Sequence, residues 1–147
     1  MALLFENEGY ELIGAAMAVY NEMGPGFLEE VYQECLEMEL SYRNIPFQSQ
    51  LPLELRYKGQ KMKKRYKPDL YTFNSIIVEL KAEKALTSRD ESQLLNYLKG
   101  AKKQVGYLFN FGYEGKLQYK KMVFRAGSLS VKIREDPWTF SRFLRAG

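Results

Sequence analysis

The sequence predicts an α/β fold, a mixed central β-sheet flanked by helices, built from one domain spanning residues 1–147. Three observations predict it. Apolar residues recur at helical spacing through the first third, period-two alternation takes over in the middle, and a strand, a helix and a strand then follow in the order that normally closes as a right-handed parallel crossover.

Leu12, Ile13, Ala15, Ala16, Val19, Tyr20 and Met23, three and four residues apart, predict a first helix that Gly24-Pro25-Gly26 stops. A second stripe, Leu28, Val31, Tyr32, Cys35, Leu36 and Leu40, opens with Glu29 and Glu30, where carboxylates suit the positive helix end, and fades near Asn44 and Pro46. Leu51, Leu53, Leu55 and Tyr57 alternate with polar residues up to Lys58-Gly59, which predicts a strand and a hairpin turn. The next strand is expected over Tyr66 to Phe73. Ile76 to Lys81 is β-branched and apolar on both faces until its end, as a central strand is. A helix is expected from about Ser88, where Ser88 and Glu91 have capping-box spacing, with Leu94, Leu95, Leu98 and Ala101 as its stripe. Val105 to Phe111 predicts a second apolar strand parallel to the first. Lys120 to Arg125 and Leu129 to Ile133 predict shorter strands, and Pro137 to Leu144 a terminal helix.

Composition excludes several chemistries. Hydrophobic residues make up 46% and charged residues 27%, ordinary globular usage that argues against disorder. With no histidine, the chain cannot build a Ser-His-Asp triad, a Cys-His pair or an imidazole-ligated zinc site. Cys35 is the single cysteine, so no intrachain disulfide forms; it reads as a buried helix residue, and this usage suits a reducing cytoplasm. The opening MALLFENEGY carries acids where an export signal carries Lys or Arg. The longest near-apolar stretch, Leu12 to Tyr20, falls well short of the ~18 residues that span a bilayer, so a cytoplasmic protein with no membrane partner is expected.

The net charge of +4 is a mild bias, but its distribution is uneven. Lys61, Lys63, Lys64, Arg65 and Lys67 form a basic ridge leading toward Asp69. Such a ridge draws in a phosphate backbone or serves as a solvated hairpin flank. Lys102, Lys103, Lys120 and Lys121 are further phosphate-contact candidates.

Glu79 and Lys81 lie two apart on the expected central strand, so both side chains leave one face while Val78 and Leu80 pack on the other. Burying charge without compensation is costly. A cross-strand ion pair at the sheet rim accounts for the two residues, and so does a metal carboxylate beside a water-activating amine. Pro68-Asp69, on the preceding strand, places a second carboxylate next to Glu79 across a short turn. A divalent cation between two such acids removes their repulsion, and magnesium prefers oxygen ligands. Gln93 and Tyr97, one helical turn apart, can reach one point, as can Glu29 and Tyr32 on the second helix. A satisfied core tyrosine and a surface polar residue would look the same.

Gly26-Phe27-Leu28-Glu29-Glu30-Val31-Tyr32 resembles the signature of the GxxExxY proteins. Pro68-Asp69, Glu79-Leu80-Lys81 and Gln93-Leu94-Leu95-Asn96-Tyr97 resemble, in order, the motifs of the PD-(D/E)xK nuclease superfamily to which those proteins are assigned. The likeness runs from about Tyr10 to Arg125 and includes Gly106 to Gly112. It implies a restriction-endonuclease-like core. It also implies that Asp69, Glu79 and the Leu80 carbonyl hold Mg2+ (or Mn2+), with Glu29 contributing directly or through water. Lys81 would activate the attacking water, and Gln93 and Tyr97 would position Lys81 and the strand.

The expected activity is therefore metal-dependent hydrolysis of DNA or RNA, with nucleic acid as partner and a homodimer possible because paired cuts need two sites. The competing reading is a catalytically silent nuclease-like module that binds nucleic acid or protein.

Overall fold

The computed structural model describes residues 4–125, 130–134 and 141–145, the last two segments as backbone. The first two stripes form helices α1 (Glu6–Met23) and α2 (Glu29–Tyr42), which pack on each other. Strands β1 (Phe47–Ser49), β4 (Leu70–Thr72), β5 (Ile76–Lys81), β6 (Val105–Asn110), β7 (Gln118–Phe124), β8 (Ser130–Arg134) and β9 (Ser141–Arg145) make one sheet in the order β1-β4-β5-β6-β7-β8-β9. Strands β5 and β6 run parallel, joined by α3 (Ser88–Ala101), and every other described pair is antiparallel. A separate hairpin, β2 (Leu53–Tyr57) and β3 (Gln60–Tyr66), lies against α3.

The sheet divides two apolar layers. On one face Ile76, Val78 and Leu80 pack with Leu12, Ala15, Tyr32, Leu36 and Phe109 under α1 and α2. On the other, Ile77 packs with Leu94 and Leu98 of α3, Leu53 and Tyr66 of the hairpin, and Tyr71. Burying each large aliphatic side chain contributes roughly 1.5–3 kcal/mol. Glu79 and Lys81 share the phase of Ile77, so they leave the sheet toward α3.

Four expectations change. The strand expected over Tyr66 to Phe73 is two: Tyr66 ends β3 in the hairpin, the chain crosses at Lys67-Pro68-Asp69, and β4 starts at Leu70. Pro68 has no N–H for a ladder, which suits the break. The capping box belongs to Thr87 and Asp90, one residue earlier than Ser88 and Glu91, with Asp90 N–H donating to the Thr87 hydroxyl and Thr87 N–H to the Asp90 carboxylate. Ser141–Arg145 is a strand where a terminal helix was expected, and 135–140 lie outside the described residues. Cys35 is half-buried at the core margin. The short edge strand β1 has no sequence signal of its own, because three residues show no period.

Candidate active site

The C-terminal end of β5 meets the N-termini of α2 and α3, and Glu29, Asp69, Glu79, Glu83 and Asp90 converge there. Asp69, just before β4, and Glu79 on β5 are tied together through the backbone. The Asp69 N–H donates to Glu79 Oε1 at 2.8 Å, and the Leu80 N–H donates to Asp69 Oδ2 at 2.7 Å. This lattice sets the two carboxylates side by side. It also leaves the buried Leu80 side chain facing the core and its backbone facing the site.

Their environment disfavours two negative charges. Burial, then the Asp69 charge, push Glu79 up to about 7, against weaker relief from the Asp69 N–H and Lys81. Asp69 is also raised, by burial, with the Leu80 N–H and Lys81 opposing. Glu29, in the first turn of α2, is raised by burial and the Asp69 charge although part of it reaches solvent, and Lys81 offsets this in part. Lys81 Nζ lies 3.7 Å from Asp90 Oδ1. One amine thus stands among Asp69, Glu79, Glu29 and Asp90.

Glu29 owes its place to the loop before it. The Tyr32 hydroxyl donates to the Gly24 carbonyl and accepts from the Phe27 N–H at 3.1 Å, while its ring stacks on Phe111 at 4.7 Å. Gly26 takes φ 114°, open to glycine alone at no steric cost. The spacing from Gly26 to Tyr32 is therefore a loop staple that sets where α2 begins. One turn on, Gln33 Nε2 donates to the Asp69 carbonyl at 2.8 Å and to Glu37 Oε2, which also accepts from Ser49.

On the other side a cleft of about 550 Å3 opens onto Glu79. Lys63, Lys64, Arg65, Tyr66 and Lys67 line it from the hairpin, Gln93 and Tyr97 from α3. Tyr97 stacks on Tyr66, with centroids 3.9 Å apart and planes 5° from parallel. The Tyr66 hydroxyl is buried beside Glu79, without a hydrogen bond of good geometry, and its pKa is raised by burial and the neighbouring acids. One guanidinium nitrogen of Arg65 is likewise buried without a partner.

The structure brings together Glu29, Asp69, Glu79, Leu80 and Lys81 at the rim, and Lys63, Lys64, Arg65, Lys67, Gln93 and Tyr97 around the adjoining cleft. Five lysine candidates do not join them: Lys102 and Lys103, at the C-terminal end of α3, line a separate cavity. Lys61 pairs with Glu54 at 3.6 Å near the hairpin turn and does not line the cleft. Lys120 is buried in an ion pair with Glu91, and Lys121 is buried with its ammonium on the Leu4 carbonyl, so neither is free to meet a phosphate.

Four contributors escaped the sequence reading. Asp90 receives Lys81, and burial that would raise its pKa is outweighed by hydrogen bonds from Glu83 and Thr87, leaving it lowered. Glu83 is pushed up to about 7 by burial and by sharing that hydrogen bond with Asp90. Asn110, fully buried at the end of β6, clamps the loop after Lys81. Its Oδ1 accepts from the Glu83 and Gly112 N–H groups and its Nδ2 donates to the Glu83 carbonyl and to Gln118. A lone amide in an apolar strand was the available signal for Asn110. Gln33 had only its one-turn spacing from Glu29, and Glu83 had none.

Among the described residues no three His, Cys, Asp or Glu side chains form a group that could by itself hold a metal ion. What could hold a cation here is the Asp69–Glu79 carboxylate pair together with the Leu80 backbone. That suits magnesium, which keeps several waters and commonly takes one or two carboxylates. Two adjacent acids, both with raised pKa, are also an arrangement that a divalent cation would relieve.

A family model described as PD-(D/E)XK nuclease superfamily matches residues 6–122, and the chain belongs to that superfamily. No curated protein and no solved structure gives a significant match. No described helix is long and apolar enough to cross a membrane.

Proposed function

From membership of a nuclease superfamily, we propose that this chain is a divalent-metal-dependent phosphodiesterase acting on DNA or RNA. The observation that carries the reading is the Asp69–Glu79 pair, locked through the Asp69 and Leu80 N–H groups with Lys81 on the same face. The Gly26 to Tyr32 string supports placing it in the GxxExxY branch, where Glu29 adds a carboxylate at the rim.

Asp69, Glu79 and the Leu80 carbonyl would hold Mg2+ or Mn2+, which when bound supplies Lewis-acid polarisation of a phosphate oxygen and a more acidic water. The chain's own residues do the rest. Lys81 carries a fixed positive charge beside the reacting centre, where it orients the incoming water and stabilises negative charge that builds on the phosphate. Asp90, with its lowered pKa, holds that ammonium in place. Lys63, Lys64, Arg65 and Lys67 draw the backbone of the strand along the cleft, and Gln93 and the stacked Tyr66–Tyr97 pair form the wall on which it rests. Arg65, which lines the cleft, is suited to a phosphate oxygen.

The test is cleavage of labelled single- and double-stranded DNA and RNA with magnesium or manganese. Asp69→Asn, Glu79→Gln and Lys81→Ala should each abolish cleavage in protein that melts as one cooperative unit. Cleavage that survives all three substitutions refutes the assignment.

A further inference from the structure

A second cavity, of about 560 Å3, lies at the opposite end of α3 from the carboxylates. The helix runs for 14 residues from the Thr87–Asp90 cap to Ala101, so roughly 20 Å separates the two places. Its walls divide by chemistry. Lys99, Lys102 and Lys103 supply three ammonium groups from the helix end, and Phe5, Tyr71 and Phe124 supply rings, with Asn74, Ser75 and Gln104 between them. Among the described residues no acid lines it, so three basic side chains share one space.

Two left-handed backbone positions shape its walls. Lys102 occupies the left-handed C-cap of α3 with φ 56°, a position that favours glycine. On the opposite wall Asn74 is left-handed with φ 56°, following Phe73 at φ 52°. Lys103 is anchored, its ammonium 5.2 Å from the Tyr71 ring centre.

We propose that this cavity is a second, non-catalytic site for a nucleotide phosphate, with the phosphate on Lys99, Lys102 and Lys103 and the base or sugar against Phe5 and Phe124. Two sources share that chemistry: a free mononucleotide, and the phosphorylated end of a nucleic-acid strand. The site is independent of the hydrolytic reading, because it uses no carboxylate and needs no metal.

The experiment uses the full chain carrying Asp69→Asn, in EDTA and 150 mM salt, so that nothing is cut. Titrations with AMP, adenosine, and one ten-nucleotide single strand with and without a 5′ phosphate are repeated in two double variants. Lys102→Gly with Lys103→Gln removes two of the three cavity charges while relieving the backbone at residue 102. Lys63→Ala with Lys64→Ala removes the same charge from the distant cleft. The expected result is that a terminal phosphate strengthens binding at least fivefold, that the first double variant abolishes this gain, and that the second keeps it. If the gain appears with AMP over adenosine, the source is a free nucleotide. If it appears only with the oligonucleotide, the source is a strand end. A phosphate that adds less than twofold in both pairs, or a gain lost equally in both double variants, overturns the proposal.

Discussion

Glu79→Gln should stabilise the metal-free protein at alkaline pH, and the size of the effect follows from the crowding of Asp69 and Glu79. Burial and the neighbouring charge move the folded Glu79 carboxyl from 4.5 to about 7. An acid whose pKa is raised by folding binds more protons in the native than in the unfolded state between those two values. Stability is therefore highest below 4.5, falls as pH rises to about 7, and is level beyond it. The gap corresponds to about 3 kcal/mol, at roughly 1.4 kcal/mol per tenfold. Glutamine keeps the carbonyl oxygen that accepts the Asp69 N–H and carries no charge, so at pH 8 the variant should be more stable by about 2–3 kcal/mol. With ~2–4 °C per kcal/mol for a chain of this size, that is a melting shift of roughly 4–12 °C. At pH 4.5 the difference should vanish. Thermal melts in EDTA across pH 4.5 to 8.5 measure it. Magnesium at pH 8 should then raise the melting point of the wild type and leave Glu79→Gln nearly unmoved. A variant no more stable than wild type at pH 8, or a difference that does not change with pH, refutes the crowded-carboxylate account.

Tyr32→Phe keeps the ring on Phe111 but loses both bonds of the staple, so it should cost about 1–2 kcal/mol in urea unfolding and speed amide exchange at Phe27, with cleavage falling further than stability. Gly112→Ala places a Cβ 2.5 Å from the Glu83 carbonyl oxygen and 2.6 Å from the Glu83 nitrogen, so the loop after Lys81 must move; the expected sign is destabilisation together with lost cleavage, read by melting and assay. Glu91→Ala breaks the buried ion pair with Lys120 beneath α3 and should cost up to about 3–5 kcal/mol, against near-neutrality for an exposed charge such as Lys61→Ala. Lys63→Ala with Lys64→Ala should lower the slope of log affinity for nucleic acid against log salt by up to about 2, measured by fluorescence anisotropy; an unchanged slope would remove both residues from the phosphate path.

Periodicity was enough to place α1, α2, β5, α3 and β6 along the chain, and the parallel β5–β6 pairing followed from the handedness of crossovers. The phase of Glu79 and Lys81 was also legible, because alternation along a strand is a local property of the backbone. What failed were features whose cause lies elsewhere in the chain. The break at Lys67-Pro68-Asp69 depends on the hairpin leaving the sheet to cover α3, and the Ser141–Arg145 strand depends on the edge offered by β8. The burial of Lys120 and Lys121 depends on Glu91 and Leu4, partners 29 and 117 residues away. Sequence by itself determined which side chains could carry chemistry and on which face of their own element they stand, since both follow from nearest-neighbour geometry. Only the tertiary structure decided which of them meet. The Asp69–Leu80 lattice, the Asn110 clamp and the separation of Lys102 and Lys103 from the cleft all arise from contacts between elements, and an isolated segment carries no trace of its eventual neighbours.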